Sequence, residues 1–299
     1  MKKFRTFIKF ILLSLALITS LNIYSFNKIF IFGDSLSDNG YLNKRIDEIS
    51  ENQYVNPLAP NSPIYYHSRF TNGKVWPEIL AEKLNIPINS SFNYAYGGAT
   101  VIQPSLVPNL SSQIQTYLYT HLTADPNGLY IVWIGINDLF QFNSYENSEN
   151  LFVENIFNKI EIEIKNLINH GAKTILLPQQ FDLSVSPYSL LQDKINGDTK
   201  YSNELKRLII IYNNNIKSMT NKLSNEFIDV KFITIDFFDY LKNQELAKKY
   251  GFMYMQDSCI DVNVNNCGQF IFFDGLHPTT KVHEIIAEKV FEELSVIYK

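Results

Sequence analysis

The sequence predicts an α/β protein, a parallel sheet with helices on both faces, and three observations predict it. Short apolar, β-rich runs recur along the chain, longer runs with apolar residues three and four apart separate them, and polar, glycine-bearing clusters follow the short runs. Strand and helix in alternation imply parallel pairing, since each helix carries the chain back to start the next strand in the same direction. The short runs are continuously hydrophobic rather than alternating, as expected of strands covered on both faces.

In chain order the expected strands are KIFIF (28–32), FNYAY (92–96), LYIVWI (129–134), KTILL (173–177) and KFITI (231–235), and the apolar run FIFF precedes the last polar cluster. Helical spacing marks VWPEILAEKL (75–84), NLSSQIQTYLYTHL (109–122), NLFVENIFNKIEIEIKNLINH (150–170), SNELKRLIIIYNNNIKSMTNKLSN (202–225) and KVHEIIAEKVFEEL (281–294). Gly171 stands where a helix C-terminus needs a glycine. Two longer polar, proline-bearing segments, 50–72 and 183–201, are expected to overhang the sheet edge as walls of a cleft.

The first 25 residues stand apart. Lys2, Lys3, Arg5 and Lys9 precede an apolar stretch from Phe10 to Ile23, and Ser25 is a small residue where a signal peptidase could cut, Ser20 being a second candidate. The apolar run is about 14 residues, short of the roughly 20 that span a bilayer, so residues 1–25 read as a signal peptide rather than an anchor. Secretion or a periplasmic location follows. Removing that segment takes away four cations and no acid, leaving 22 Lys and Arg against 30 Asp and Glu, a balance of −8. Such a body repels nucleic acid, which is excluded as a partner. Residues 26–299 contain no repeat, charge run or linker and are expected to form a single domain.

Cys259 and Cys267 are the only cysteines. In an oxidising compartment they are expected to form a disulfide, because their spacing is too wide for a CxxC metal pair and no second pair exists. HEIIA (283–287) resembles the start of a zinc motif, but Ala287 occupies the second histidine's place, so neither a metal nor another cofactor is expected.

Ligands of parallel sheets bind beyond the carboxyl ends of the strands, where this sequence gathers its polar clusters: 33–38, 97–100, 135–138 and 274–277. Ser35 sits just past the first strand, on a turn opened by Gly33 and Asp34, and a serine there is a nucleophile if a base can take its proton. Asp274 precedes His277 by three residues, a separation that lets a carboxylate orient an imidazole. His67, His121, His170 and His283 have no aspartate within the three residues before them. Gly98 offers an approachable backbone N–H and Asn137 a side-chain amide, and with the N–H of Ser35 they are candidate oxyanion donors. Each is also ordinary turn chemistry.

FGDSLSDNG, NYAYGGAT, GIND and DGLHPT, in that order, resemble the GDSL, or SGNH, family of lipases and esterases, and SRFTNGKVWPEIL (68–80) resembles the segment that follows the first block in its longer members. The resemblance spans residue 28 to the C-terminus. It implies a flavodoxin-like three-layer α/β/α sandwich (the SGNH hydrolase fold), with Ser35 as nucleophile, His277 as base, Asp274 as its partner, and Ser35, Gly98 and Asn137 as the oxyanion hole. GDSLS lacks the final glycine of G-x-S-x-G, so the α/β-hydrolase elbow is not supported. The resemblance further points to secreted phospholipases A, lysophospholipases and glycerophospholipid:cholesterol acyltransferases, hence to a lipid ester substrate at a membrane surface. A carbohydrate or small-ester esterase of the same fold and an inactive secreted binding protein are the rival readings. Tyr65, Tyr66, Phe70 and Trp76 are candidates to grip an acyl chain, with simple core packing as the alternative. The segment 250–268 is a candidate lid or site for an activating protease, or a stapled surface loop.

Overall fold

Strand β1 (Lys28–Gly33) is buried from Ile29 onward, and its side chains alternate between two cores, Phe30 and Phe32 entering one, Ile29 and Ile31 the other. That double burial is what its unbroken hydrophobicity requires. The computed structural model to which it belongs describes residues 26–40, 63–87, 93–145, 148–262 and 265–297. The expected signal peptide, 1–25, and residues 50–62 of the first overhanging segment lie outside the described residues.

Beside β1 run β2 (Gly128–Trp133), β3 (Thr174–Pro178) and β4 (Lys231–Ile235), all parallel, in the spatial order β1-β2-β3-β4. On the other side of β1 lies the expected strand at 92–96, whose described residues, 93–96, make one parallel bridge, Asn93 with Ile31. Tyr94 and Tyr96 still donate their N–H groups to Ile31 and Gly33 carbonyls at 2.8 and 3.2 Å. The chain therefore steps from β1 to one side and then back to the other, the flavodoxin-like order, whose crevice opens where the direction reverses. Here the reversal falls at the carboxyl ends of β1 and β2.

The helices are α1 (Trp76–Lys83), α2 (Leu110–His121), the single turn α3 (Ile136–Leu139), α4 (Glu149–Asn169), α5 (Pro187–Asn196), α6 (Lys200–Glu226), α7 (Gln244–Tyr250), the turn α8 (Cys259–Val262) and α9 (Thr280–Ile297). Helices α2, α4 and α6 cover the Phe30 face, where Ile114, Ile156, Ile160, Ile209 and Leu223 are buried. Helices α1 and α9 cover the Ile29 face with Trp76, Leu80, Ile286 and Val290. This is the expected three-layer sandwich. Each such side chain contributes roughly 1.5 to 3 kcal/mol by leaving water, so Leu80→Ala would cost about 2 to 5 kcal/mol. Asn109 caps α2 by accepting the Ser112 N–H at 3.0 Å, and Gly171, at φ 117°, follows the end of α4 as expected.

The C-terminal part departs from the simple alternation. FIFF supplies β6 (Phe270–Phe272), but its partner is β5 (Tyr254–Ser258), in a separate two-stranded parallel sheet. The segment 250–268, expected as a loop, thus holds β5 and α8. Its YMQDS stretch carries no apolar alternation. It is held by pairing, by the Tyr254 ring stacked on Phe270 at 4.2 Å, and by the disulfide between Cys259 and Cys267. The segment 183–201 folds into a 3-10 turn, Leu183–Val185, followed by α5. Among the described residues no helix is long and apolar enough to cross a membrane.

Candidate active site

At the end of β1, a Cβ on Gly33 would lie 2.7 Å from the Trp133 carbonyl oxygen, so only glycine fits against β2 there. The Asp34 carbonyl accepts from the Ser37 and Asp38 N–H groups, both at 3.0 Å, and its Oδ1 accepts from the Leu36 N–H at 3.1 Å. These bonds wind one turn that presents Ser35. The turn is fixed from outside as well. The Trp76 indole donates to Ser37 Oγ at 3.1 Å, and the Asn93 amide donates to the Ser37 carbonyl at 2.8 Å.

Asp274 and His277 form the turn that follows β6. Asp274 Oδ1 accepts the N–H groups of Leu276 at 2.8 Å and His277 at 2.7 Å, while Oδ2 lies 2.8 Å from His277 Nδ1. A carboxylate can only accept, so Nδ1 carries the proton and Nε2 is left as an acceptor. Ser35 Oγ lies 2.8 Å from Nε2. Residues 242 positions apart are therefore joined into one chain of hydrogen bonds. Burial alone would raise the Asp274 pKa, but the charge and hydrogen bond of His277 and the backbone donors outweigh it and hold it down at about 2. Burial works the other way on His277, and the Asp274 charge overrides it, so its pKa lies above the ordinary value.

Gly135 lets β2 turn sharply into α3: its φ is 107°, and a Cβ there would approach Tyr212 to 2.7 Å. Asn137 then faces the same cleft as Ser35 and His277. One of its amide N–H bonds goes to the Ala99 carbonyl at 2.9 Å, and the second, with no partner among the described residues, can serve a ligand. Asp138, beside it, accepts the N–H groups of Val101, Ile102 and Gln103 at 2.8, 2.9 and 3.0 Å. Asp38 reaches across to the Gly97 N–H at 2.8 Å. The loop 97–103 is thus tied down on both sides of Gly98, whose φ of 79° suits glycine. Among the described residues neither the Gly98 N–H nor the Ser35 N–H has a protein acceptor.

Leu36, Ile136, Phe140, Phe181, Leu183, Leu241 and Leu276 give this cleft apolar walls around a cavity of about 40 Å³. A roomier hollow of about 250 Å³, lined by Lys242, Gln244, Gln256 and Asp257, shares only Leu241 with it and contains none of the candidate catalytic groups. The four aromatic candidates for gripping a ligand do not line the cleft. Trp76 is fully buried in the core, and Tyr65 and Phe70 meet the other side of the base: the Tyr65 hydroxyl donates to Asp274 Oδ2 at 2.9 Å, and the Phe70 ring lies 4.9 Å from the His277 ring.

Every residue expected in the relay is therefore brought together, and the structure adds Asp38, Asp138, Asn93 and Tyr65 around it. Asp38 also accepts the Gly40 N–H within its own block, at 2.9 Å. Its bond to Gly97, 59 positions away, left no signal in the local sequence.

A family model described as GDSL-like Lipase/Acylhydrolase matches residues 29–290, and the chain belongs to this family of GDSL-type hydrolases. It is 27% identical over 294 residues to the thermolabile hemolysin of Vibrio parahaemolyticus, covering 89% of this chain and 63% of that protein. To the phosphatidylcholine-sterol acyltransferase of Aeromonas hydrophila it is 27% identical over 195 residues, 62% of this chain and 54% of that one. The chain therefore spans less than two thirds of either relative's length. A solved G-D-S-L family lipolytic protein from Veillonella parvula is similar over 89% of this chain and 96% of its own, at 16% identity and a TM-score of 0.47.

Proposed function

We propose that this hydrolase is an exported lipid esterase in which Ser35 attacks the ester carbonyl, His277 takes the serine proton through Nε2, and Asp274 holds the ring. The observation that carries the reading is the unbroken path from Ser35 Oγ through His277 to Asp274, 2.8 Å at each step. As the tetrahedral oxyanion forms, the N–H groups of Ser35 and Gly98 and the free N–H of Asn137 receive it. His277 then gives its proton to the leaving alcohol, and an acyl-serine remains. Water, activated by the same histidine, releases the acid; an acceptor alcohol in its place would make the enzyme an acyltransferase.

Lipid is favoured as the substrate class by the apolar walls of the cleft and by similarity to an enzyme named for acting on phosphatidylcholine. Export is favoured by the basic, then apolar, N-terminus and by the disulfide. Both cores lie on opposite faces of one sheet, which supports treating residues 26–299 as one domain. An inactive binding protein would have no use for a serine, a histidine and an aspartate held in one hydrogen-bonded path.

A panel of lysophosphatidylcholine, p-nitrophenyl esters of rising chain length and acetylated xylan, with Ser35→Ala as the blank, tests the substrate class. Long-chain and lysophospholipid esters should turn over fastest. A preference for acetylated xylan would replace the lipid reading with the carbohydrate one, and no turnover of any ester above the blank would favour the binding protein.

A further inference from the structure

Asp274 Oδ2 is shared. It receives the His277 Nδ1 proton at 2.8 Å and the Tyr65 phenol proton at 2.9 Å, from a segment 209 residues away in sequence. The phenol ring stands edge-on to Phe273 with centroids 5.1 Å apart, which aims its hydroxyl at the carboxylate. The rest of the segment grips the same turn. The Phe70 ring packs on His277, Thr71 Oγ1 donates to the Pro278 carbonyl at 2.8 Å, and Asn72 Oδ1 accepts the Thr280 N–H at 2.9 Å. A Cβ on Gly97 would sit 2.2 Å from the Phe70 ring, so the segment also rests against the loop that carries Gly98.

Resting on the proposed function, we infer that Tyr65 is a positioning residue that sets the proton affinity of His277 by sharing the Asp274 oxygen. A carboxylate oxygen that serves two donors has less charge for each, so the phenol weakens the hold of Asp274 on the imidazolium. Burial and the Asp274 charge push the phenol's own pKa up, which keeps it a donor throughout the range in which histidine titrates. The other groups facing the pair are Asp34 from the nucleophile turn, His283 from α9, and Asp261 beside the phenol. All of these stay in place when the phenol oxygen is removed.

Tyr65→Phe keeps the ring on Phe273 and deletes only the donor. The acid limb of kcat/KM should move upward by about half a pH unit, so that one unit below the limb the rate drops about threefold while the alkaline plateau is kept. KM should not change, since Tyr65 does not line the cleft. The downfield proton resonance of His277 Nδ1–H should shift in the same variant. Stoichiometric fluorophosphonate labelling of Ser35, measured alongside, separates the two claims. Labelling with an acid limb that stays within about 0.2 unit, or moves downward, would overturn the role of Tyr65 alone. Failure of the wild-type enzyme to take the label would overturn the proposed function and this inference with it.

Discussion

Ser35 and His277 meet at 2.8 Å, yet they stand on unlike foundations. Ser35 follows β1, a strand of the large sheet buried on both faces, and its turn is tied to α1 through Trp76 and to the segment beyond β1 through Asn93. His277 follows a three-residue strand in a two-stranded sheet, held by a disulfide and by the segment 65–72. The nucleophile inherits its position from a strand buried on both faces, whereas the base follows a short strand that puts Ile271 and Phe272 into the Ile29 core and relies for the rest on the disulfide and the segment 65–72. Damage near the base should therefore tell on the rate before it tells on the fold.

The sharpest way to break that contrast is His277→Asn. It should cut kcat by about 10⁴ while the cooperative unfolding transition survives, as measured by steady-state turnover and thermal melting. A variant that lost its cooperative melt would mean that the base turn carries the fold after all. On the nucleophile side, Asn137→Ala should lower kcat by roughly 10² to 10³. A change under about threefold would remove Asn137 from the oxyanion hole.

His283, six residues beyond His277, sharpens the comparison through acid. It is fully buried, where His277 is half-buried, and among the described residues it has no carboxylate partner: its Nδ1 accepts the Trp76 backbone N–H at 3.2 Å, and burial, with the nearby His277 charge, lowers its pKa to about 3. A depressed histidine contributes stability above its unfolded pKa, near 6.5, and loses that contribution as pH falls towards 3. His277, with its pKa raised, contributes in the opposite sense, fully below 6.5 and less as pH rises through its folded value. Between pH 6.5 and 4.5 wild type should lose up to a few kcal/mol in urea titrations, and His283→Asn should lose distinctly less. Equal losses in the two proteins would assign the acid sensitivity elsewhere.

The smallest of these effects belongs to the disulfide. Replacing Cys259 and Cys267 by serine opens a short loop and should cost about 2 to 3 kcal/mol in denaturant unfolding. Because that loop abuts β6, the rate should fall in conditions where the melt is still complete. Unchanged turnover at full occupancy of the folded state would show that the base turn stands without its staple.

The large sheet was legible because its strands are hydrophobic throughout: β1 to β4 and the helices α1, α2, α4, α6 and α9 lie within a few residues of where the periodicity sets them. The relay was legible too, because its turns are built from local aspartates, Asp34 under Ser35 and Asp274 under His277, and local bonds leave local signatures. Strand β5 was not, since Gln256 and Asp257 face outward and only pairing with β6 and the cross-link define it. Nor were Asp38 on Gly97, Asp138 on the 101–103 backbone, or Tyr65 on Asp274, because each bond joins residues at least 35 positions apart. A polar side chain's distant partner is chosen by the finished fold. Residues 183–201 read as a polar wall, yet Leu183 supplies part of the apolar lining and the Tyr188 N–H donates to Gly275 between the two base residues.

Intact-mass analysis after treatment with a fluorophosphonate reads the nucleophile itself, because the reagent needs both an activated serine and a formed oxyanion hole. A single adduct is expected, located at Ser35 by peptide mapping, absent from Ser35→Ala and greatly slowed in His277→Asn. An adduct at another serine, or undiminished labelling when His277 is replaced, would contradict the relay.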